Sequence, residues 1–304
     1  MSAAIKTAFL IMGPTASGKT ALAITLAKKL NTEIVSADSR QCYKELSIGV
    51  ARPSNEELDT ISHHFIASHS IHEHIDAAVF EQYAIDKVTH IFNIHNQVVV
   101  CGGTGLYIHA FCHGIDDIPS TGASIRENLW NTWNDQGIIG LQNWIKEIDP
   151  YFWNHTQEKN NRVRLMRALE VKLTTGKSLL EFQKGSGSER SFHIQKIFID
   201  WPRDILYERI NLRVDKMMED GLLDEAKSLV QFRSLKALQT VGYQELFDHL
   251  EGKTSLDEAI ALIKQHTRNY AKRQITWFKK EGWDIAVSGE ALLQDEIPWG
   301  EFKI

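Results

Sequence analysis

Cysteine is scarce in this 304-residue chain: only Cys42, Cys101 and Cys112 occur, and no two of them form a Cys-x-x-Cys pair. That spacing argues against a zinc site or a disulfide framework and for reduced thiols in a reducing compartment. Long apolar runs are missing too, because no stretch reaches the roughly 18 apolar residues needed to span a bilayer. The opening Met-Ser-Ala-Ala-Ile-Lys gives way at once to an apolar strand, leaving no room for a signal or transit peptide, so a cytoplasmic protein with no membrane partner is expected. Surplus positive charge is absent: 34 Lys and Arg against 39 Asp and Glu leave a net charge of −5. Any binding to nucleic acid must then come from a local basic patch. Internal repeats, low-complexity tracts and a His-Glu-x-x-His motif are also lacking, and His63, His64, His69, His72 and His74 read as solvated loop histidines. The 43% apolar and 24% charged residues that remain have the balance of a soluble globular protein of one large or two ordinary domains.

The most informative segment present is residues 9–20, an apolar strand running into Gly13-Pro14-Thr15-Ala16-Ser17-Gly18-Lys19-Thr20. This Gly-x-x-x-x-Gly-Lys-Thr pattern is the fingerprint of a nucleotide- or phosphate-binding P-loop. Gly13 and Gly18 let the backbone turn so that consecutive N–H groups face one anion, and the helix that follows adds its positive N-terminal end. Lys19 supplies a mobile cation, and the Thr20 hydroxyl suits a Mg²⁺ ion bridging two phosphate oxygens.

Strand-like runs at residues 8–12, 33–36, 97–101 and 195–199 alternate with helical patterns, which predicts a parallel sheet covered by helices, of the P-loop NTPase-like α/β class. Residues 119–191 differ, since they read as consecutive helices carrying Trp130, Trp133, Trp144 and Trp153. An all-helical insertion at 119–191 is expected within a discontinuous core of 1–118 and 192–304. Its exit, residues 184–191, reads as a flexible Gly/Ser linker. Helices are expected again at 202–221, 222–232, 240–251 and 255–281.

Asp38 follows the second strand, where ligands of such sheets sit. It can hold Mg²⁺, accept a proton from a nucleophile, or cap the next turn. The strand at 97–101 runs into Cys101-Gly102-Gly103-Thr104, where a Walker-B protein would close on Asp or Glu, and this weighs against nucleotide hydrolysis. Gly102 and Gly103 permit either a close approach to a ligand or a plain tight turn, and the Thr104 hydroxyl can bond a phosphate. Arg164 and Arg167 share one helix face. Residues 264–280 carry Lys264, Arg268, Lys272, Arg273, Lys279 and Lys280 with no acid among them, interleaved with Tyr270, Trp277 and Phe278, a combination suited to an RNA backbone. On residues alone, a P-loop kinase of a small metabolite or nucleoside remains an alternative.

Eight blocks, in order along nearly the whole chain, resemble the tRNA dimethylallyltransferase family of bacterial type: the P-loop, Ser36-Ala-Asp-Ser-Arg-Gln41, Gly49-Val-Ala-Arg-Pro53, His63-His64, Gly102-Gly-Thr-Gly-Leu-Tyr107, Arg164-Leu-Met-Arg-Ala-Leu-Glu-Val171, Val241-Gly-Tyr-Gln-Glu245 and Ala271-Lys-Arg-Gln-Ile-Thr-Trp277. The resemblance implies transfer of a dimethylallyl group from its diphosphate to the N6 amine of the adenosine 3′ of the tRNA anticodon. It implies Asp38 as the base, Thr104 beside the diphosphate bridge, Arg213 facing the leaving group, and Lys19 with Thr20 and Mg²⁺ as the diphosphate clamp. Asp38, Ser39, Arg40 and Gln41, together with Thr104, and Val163, Arg164, Leu165, Met166 and Arg167 fall in stretches that contact tRNA at its anticodon stem-loop. The basic patch adds Arg268, Lys272 and Arg273, and a monomer is expected. The chain departs from the family pattern at Val50 and Arg52, where Thr and Lys are usual, and in its His-rich loop, which lacks the usual Pro and Tyr-Ser before Phe80.

Overall fold

A computed structural model describes residues 5–116, 118, 121–182 and 189–302, which divide into two compact units, 1–113 with 190–304 and 114–189. In chain order the first unit begins with β1 (Thr7–Met12), α1 (Lys19–Leu30), β2 (Ile34–Ser36), α2 (Asn55–Thr60), β3 (His63–His64), α3 (Ala77–Ile91), β4 (Gln97–Gly102) and α4 (Gly105–His113). The second unit contains α5 (Ala123–Ile148), α6 (Pro150–His155), α7 (Arg162–Thr175) and α8 (Leu179–Phe182). The chain returns to the first unit with β5 (His193–Asp200), α9 (Arg203–Glu219), α10 (Leu222–Leu229), α11 (Tyr243–Leu250), α12 (Leu256–Glu281), β6 (Ile285–Ser288) and α13 (Gly289–Leu293).

The six strands form one parallel sheet in the order β3-β2-β4-β1-β5-β6. β1 lies between β4 and β5, Leu10 facing Val100 on one side and Lys196 on the other. All six of its residues are buried, which is why Thr-Ala-Phe-Leu-Ile-Met reads as a continuous apolar run instead of alternating. Leu22, Leu26, Ile197, Leu206 and Ile210 pack with it into the core. The expected α/β class with a helix-covered parallel sheet is borne out. Two strands escaped the sequence reading. β6 lies past the last expected helix, and β3 consists of two histidines paired with Ile34 and Val35 at the sheet edge.

β3 also corrects the picture of a solvated histidine loop. His63 is half-buried, its basicity lowered by burial, and His64 is hydrogen-bonded to the Glu33 carboxylate. His69 sits against Phe65 and Tyr83, and His72 against Phe232.

In the second unit, Leu129, Leu141, Ile145, Phe152, Leu165 and Leu169 form a separate core, and α5 breaks at Gly137, where φ is 63°. The boundary lies at 114 and 189 instead of 119 and 191. Of the Gly/Ser stretch expected as a linker at 184–191, residues 184–188 lie outside the described residues.

α12 is the helix that matters most for the site. A capping box of Ser255 and Glu258 starts it and Gly282, at φ 74°, ends it. Its inward face is Ala259, Ile263, Ala271, Gln274 and Phe278, helically spaced and apolar apart from Gln274.

Candidate active site

The carboxyl ends of β1, β2, β4 and β5 converge, as expected for a ligand site in an open parallel sheet. After β1 the chain turns through Ala16 at φ 63° and Gly18 at φ 92°, left-handed conformations that aim backbone N–H groups inward before α1 begins. Arg209 donates to the Ala16 carbonyl at 3.0 Å and the Trp201 indole to that of Ser17 at 2.9 Å, fixing the loop from outside. Lys19 donates to the Pro14 carbonyl at 2.7 Å. Burial lowers its pKa to about 8, with Arg213 adding to the effect and Cys101 and Asp38 opposing it. The Cys101 thiol is pushed up to about 12 by burial, so the strand that lacks a Walker-B acid presents a neutral group here.

Asp38 uses Oδ1 to accept the N–H groups of Arg40, at 2.8 Å, and Gln41, at 3.2 Å. The turn-capping role is therefore real, and it leaves Oδ2 for a reacting group. Thr104 Oγ1 accepts the Ser39 N–H at 3.0 Å, tying the segment after β4 to the segment after β2. Such closeness needs Gly102, since a Cβ there would stand 2.2 Å from the Ala37 carbonyl oxygen. Arg213, on α9, is partly buried, and desolvation is the main cause of its lowered pKa, with the Asp38 charge acting against it.

Two cavities meet at these residues. One, of about 600 Å³, is lined by the P-loop from Thr15 to Thr20, with Asp38, Arg213 and Tyr270. The other, of about 390 Å³, opens between Ser39, Gly49, Gln239, Val241 and Thr267, and again includes Asp38, Arg213 and Tyr270. Asp38, Arg213 and Tyr270, with Thr15, Val50 and Ala51, thus stand between an anion-binding chamber and a second chamber of moderate polarity. That arrangement suits transfer of a group from a phosphate ester to a nucleophile arriving from the other side.

The expected site residues divide accordingly. Gly13 through Thr20, Asp38, Thr104 and Arg213 come together. Arg40 spends its guanidinium on the Lys236 and Ala237 carbonyls and lines the second chamber, while Gln41 spends its amide on the Val50 and Ala51 carbonyls and lines the first. Leu165 and Met166, expected in a tRNA-contacting stretch, have their side chains buried in the second unit's core, where they serve packing. Of that stretch Val163 is 68% exposed, while Arg164 and Arg167 are partly exposed and paired with Glu158 and Glu170. Arg268 is held by Asn211 at 2.6 Å and lies over Tyr207, whereas Lys272 and Arg273 are exposed.

Gln274 had no role in the sequence reading. Its amide accepts the Thr15 N–H at 2.9 Å and donates to the Gly103 carbonyl at 2.8 Å, bridging the P-loop to the β4 loop. The signal was a lone amide on α12's apolar face. Replacing it with Leu strands both backbone groups, and we expect a loss of about 1–3 kcal/mol for each, read as a lower urea midpoint at unchanged slope. Glu225 is the other residue missed. It accepts three N–H groups, from Ser47, Ile48 and Gly49, and the Tyr243 hydroxyl at 2.6 Å, shaping the far wall. Burial and the neighbouring Glu225 carboxylate keep Tyr243 protonated.

Residues 41–281 match the IPP transferase family. The chain belongs to that family. It is 44% identical over 281 residues to the tRNA dimethylallyltransferase of Cytophaga hutchinsonii, covering 92% of each chain. It is likewise 44% identical to that of Christiangramia forsetii over 292 residues, covering 96% of this chain and 92% of the other. Among solved structures, the full-length tRNA isopentenylpyrophosphate transferase of Bacillus halodurans aligns at TM-score 0.69 and 33% identity, over 97% of this chain and 96% of that one. A eukaryotic dimethylallyltransferase acting on tRNA aligns at TM-score 0.81 and 26% identity, over 97% of this chain and 77% of that one. Family membership bears out the resemblance read from the eight blocks. No described helix is long and apolar enough to cross a membrane.

Proposed function

We propose that the protein transfers a dimethylallyl group from dimethylallyl diphosphate to the N6 amine of the adenosine 3′ of a tRNA anticodon, releasing diphosphate, and does so in the cytoplasm as a monomer. The observation that carries this reading is the pair of cavities joined at Asp38 and Arg213, one of them floored by the P-loop. The donor's diphosphate lies against the loop N–H groups, Lys19 and Arg213. The target adenine leaves the anticodon stack, at a cost of a few kcal/mol, and enters the second chamber. As N6 bonds to the allylic carbon, the carbon–oxygen bond breaks, its electron pair stays on diphosphate, and Asp38 Oδ2 takes the amine proton. That proton transfer matters because the amine's lone pair is delocalised into the ring. Lys19 and Arg213 meet the charge that develops on the leaving oxygen.

Mg²⁺ fits the residues present. Thr20 contributes a hydroxyl to the first chamber, Asp38 and Glu57 line it with carboxylates, and the Ser17 hydroxyl is buried without a partner among the described residues. Oxygen donors of this kind suit a hard cation. Held by Thr20, the ion would help neutralise the diphosphate.

Calorimetry tests the donor assignment: dimethylallyl diphosphate binds in the presence of Mg²⁺ and ATP does not bind at micromolar affinity. The reverse result would install a kinase reading. For the acceptor, a chain of net charge −5 needs segregated cations, and Lys272 and Arg273 beside exposed Trp277 supply them on α12, with Arg164 and Arg167 on α7. tRNA binding is then strongly salt-dependent, and replacing Lys272 and Arg273 together with Ala flattens the log–log salt slope by up to about two. Donor affinity should stay unchanged in that variant.

A further inference from the structure

Away from the active site, the last turn of α4 presents His109 and His113, four residues apart and so on one helix face. Both rings reach Glu281, the last residue of α12: His109 Nδ1 lies 3.3 Å from Oε2 and His113 Nε2 lies 2.7 Å from Oε1. The Glu281 side chain is only 5% exposed while each imidazole is 48% exposed, so a fixed carboxylate forms the floor and two adjustable rings form the rim. Lys196 of β5 holds Oε1 at 2.6 Å, which fixes the carboxylate plane and leaves Oε2 the more available oxygen. Burial alone would raise the Glu281 pKa, but hydrogen bonds from Lys196 and His113 hold it below its ordinary value. Asp284, whose carboxylate accepts the Lys196 N–H at 2.7 Å, adds a second negative charge nearby. Burial pushes the neighbouring Cys112 thiol up to about 12.

We propose that His109, His113 and Glu281 bind a borderline-soft divalent cation of the zinc class, which ties the end of α4 to the end of α12. One ligand atom from each of the three lies within 4.8 Å of the others. Zinc bonds of about 2.0–2.2 Å require ligand atoms somewhat over 3 Å apart, a closure that rotation of exposed imidazoles provides. Two histidines at i and i+4 with a carboxylate from another element make a three-ligand set that leaves a fourth position for water. Nitrogen donors separate this site from the Mg²⁺ expected at the P-loop, because Mg²⁺ prefers oxygen and keeps its waters. The mechanical consequence follows from where the two helices lead. α4 begins directly after Gly103 and Thr104, and α12 carries Tyr270 and Gln274, so the cation clamps the far ends of two helices whose other parts shape the active site.

The test uses tag-free full-length protein in saturating Mg²⁺, titrated with Zn²⁺ by calorimetry and with Co²⁺ by visible absorption. One Zn²⁺ should bind per chain at micromolar affinity or tighter, Co²⁺ should give the intense bands of a four-coordinate ion, and Zn²⁺ should raise the melting temperature. His109→Asn and His113→Asn should each weaken Zn²⁺ binding by about tenfold or more. Both positions are exposed, so circular dichroism should report folded variants, and their melting temperatures should no longer respond to Zn²⁺. Asp38→Asn, which alters the active site alone, should leave Zn²⁺ binding as it is. Millimolar affinity in the unaltered protein, or undiminished affinity when both histidines are replaced, would overturn the proposal.

Discussion

Asp38→Asn lowers kcat by about 10²–10⁴-fold while tRNA binding stays within a few-fold of the unaltered protein, because general-base removal has that magnitude and the amide keeps the carboxylate's shape. The amide carbonyl can still accept from the Arg40 and Gln41 N–H groups, so the turn after β2 survives. What disappears is the second oxygen's capacity to take a proton. Raising the Mg²⁺ concentration separates this role from that of a metal ligand: a lost base is not restored by more metal, whereas a lost ligand is. Recovery of rate in high Mg²⁺ would reassign Asp38 as a metal ligand.

Lys19→Ala is the second large effect, a loss of about 10²–10³-fold in turnover, the range seen when one preorganised group facing a developing anion is removed. The hydrogen bond from Lys19 to the Pro14 carbonyl places the ammonium inside the loop it serves. Its pKa near 8, set chiefly by burial, adds a pH signature in the unaltered enzyme. The charge is present below that pKa and is lost as pH rises through it, so kcat/KM for the donor should fall above about pH 8. Once diphosphate is bound, its charge favours the ammonium, and kcat should hold to higher pH. Near-full activity in Lys19→Ala would remove the P-loop from the mechanism.

Residues whose roles are local were the easiest to read from the chain. The P-loop is encoded in eight consecutive residues after an apolar strand, and Asp38 follows the next strand, so spacing alone located both. Gln274 was opaque because its partners lie 259 and 171 residues away, and only tertiary structure brings Thr15 and Gly103 to it. Glu225 hides likewise on an ordinary amphipathic helix. β3 has no apolar pattern at all, since its two histidines are strand only through pairing with β2. Leu165 and Met166 differ in kind, being buried within a stretch read as one block. Motif matching treats a contact stretch as a block, whereas the helical period turns Leu165, Ala168 and Leu169 inward and Val163 outward.

The central claim is that a prenyl group passes from a diphosphate in the P-loop chamber to an adenine presented by RNA. Its most direct test incubates the protein with dimethylallyl diphosphate and Mg²⁺, offers an anticodon stem-loop or AMP, digests the products and weighs the nucleosides. Adenosine heavier by one dimethylallyl group in the stem-loop and essentially unmodified AMP are expected, since a flipped base needs only its local stem gripped. AMP prenylated as readily as the stem-loop would contradict the account and make the protein a free-nucleotide prenyltransferase.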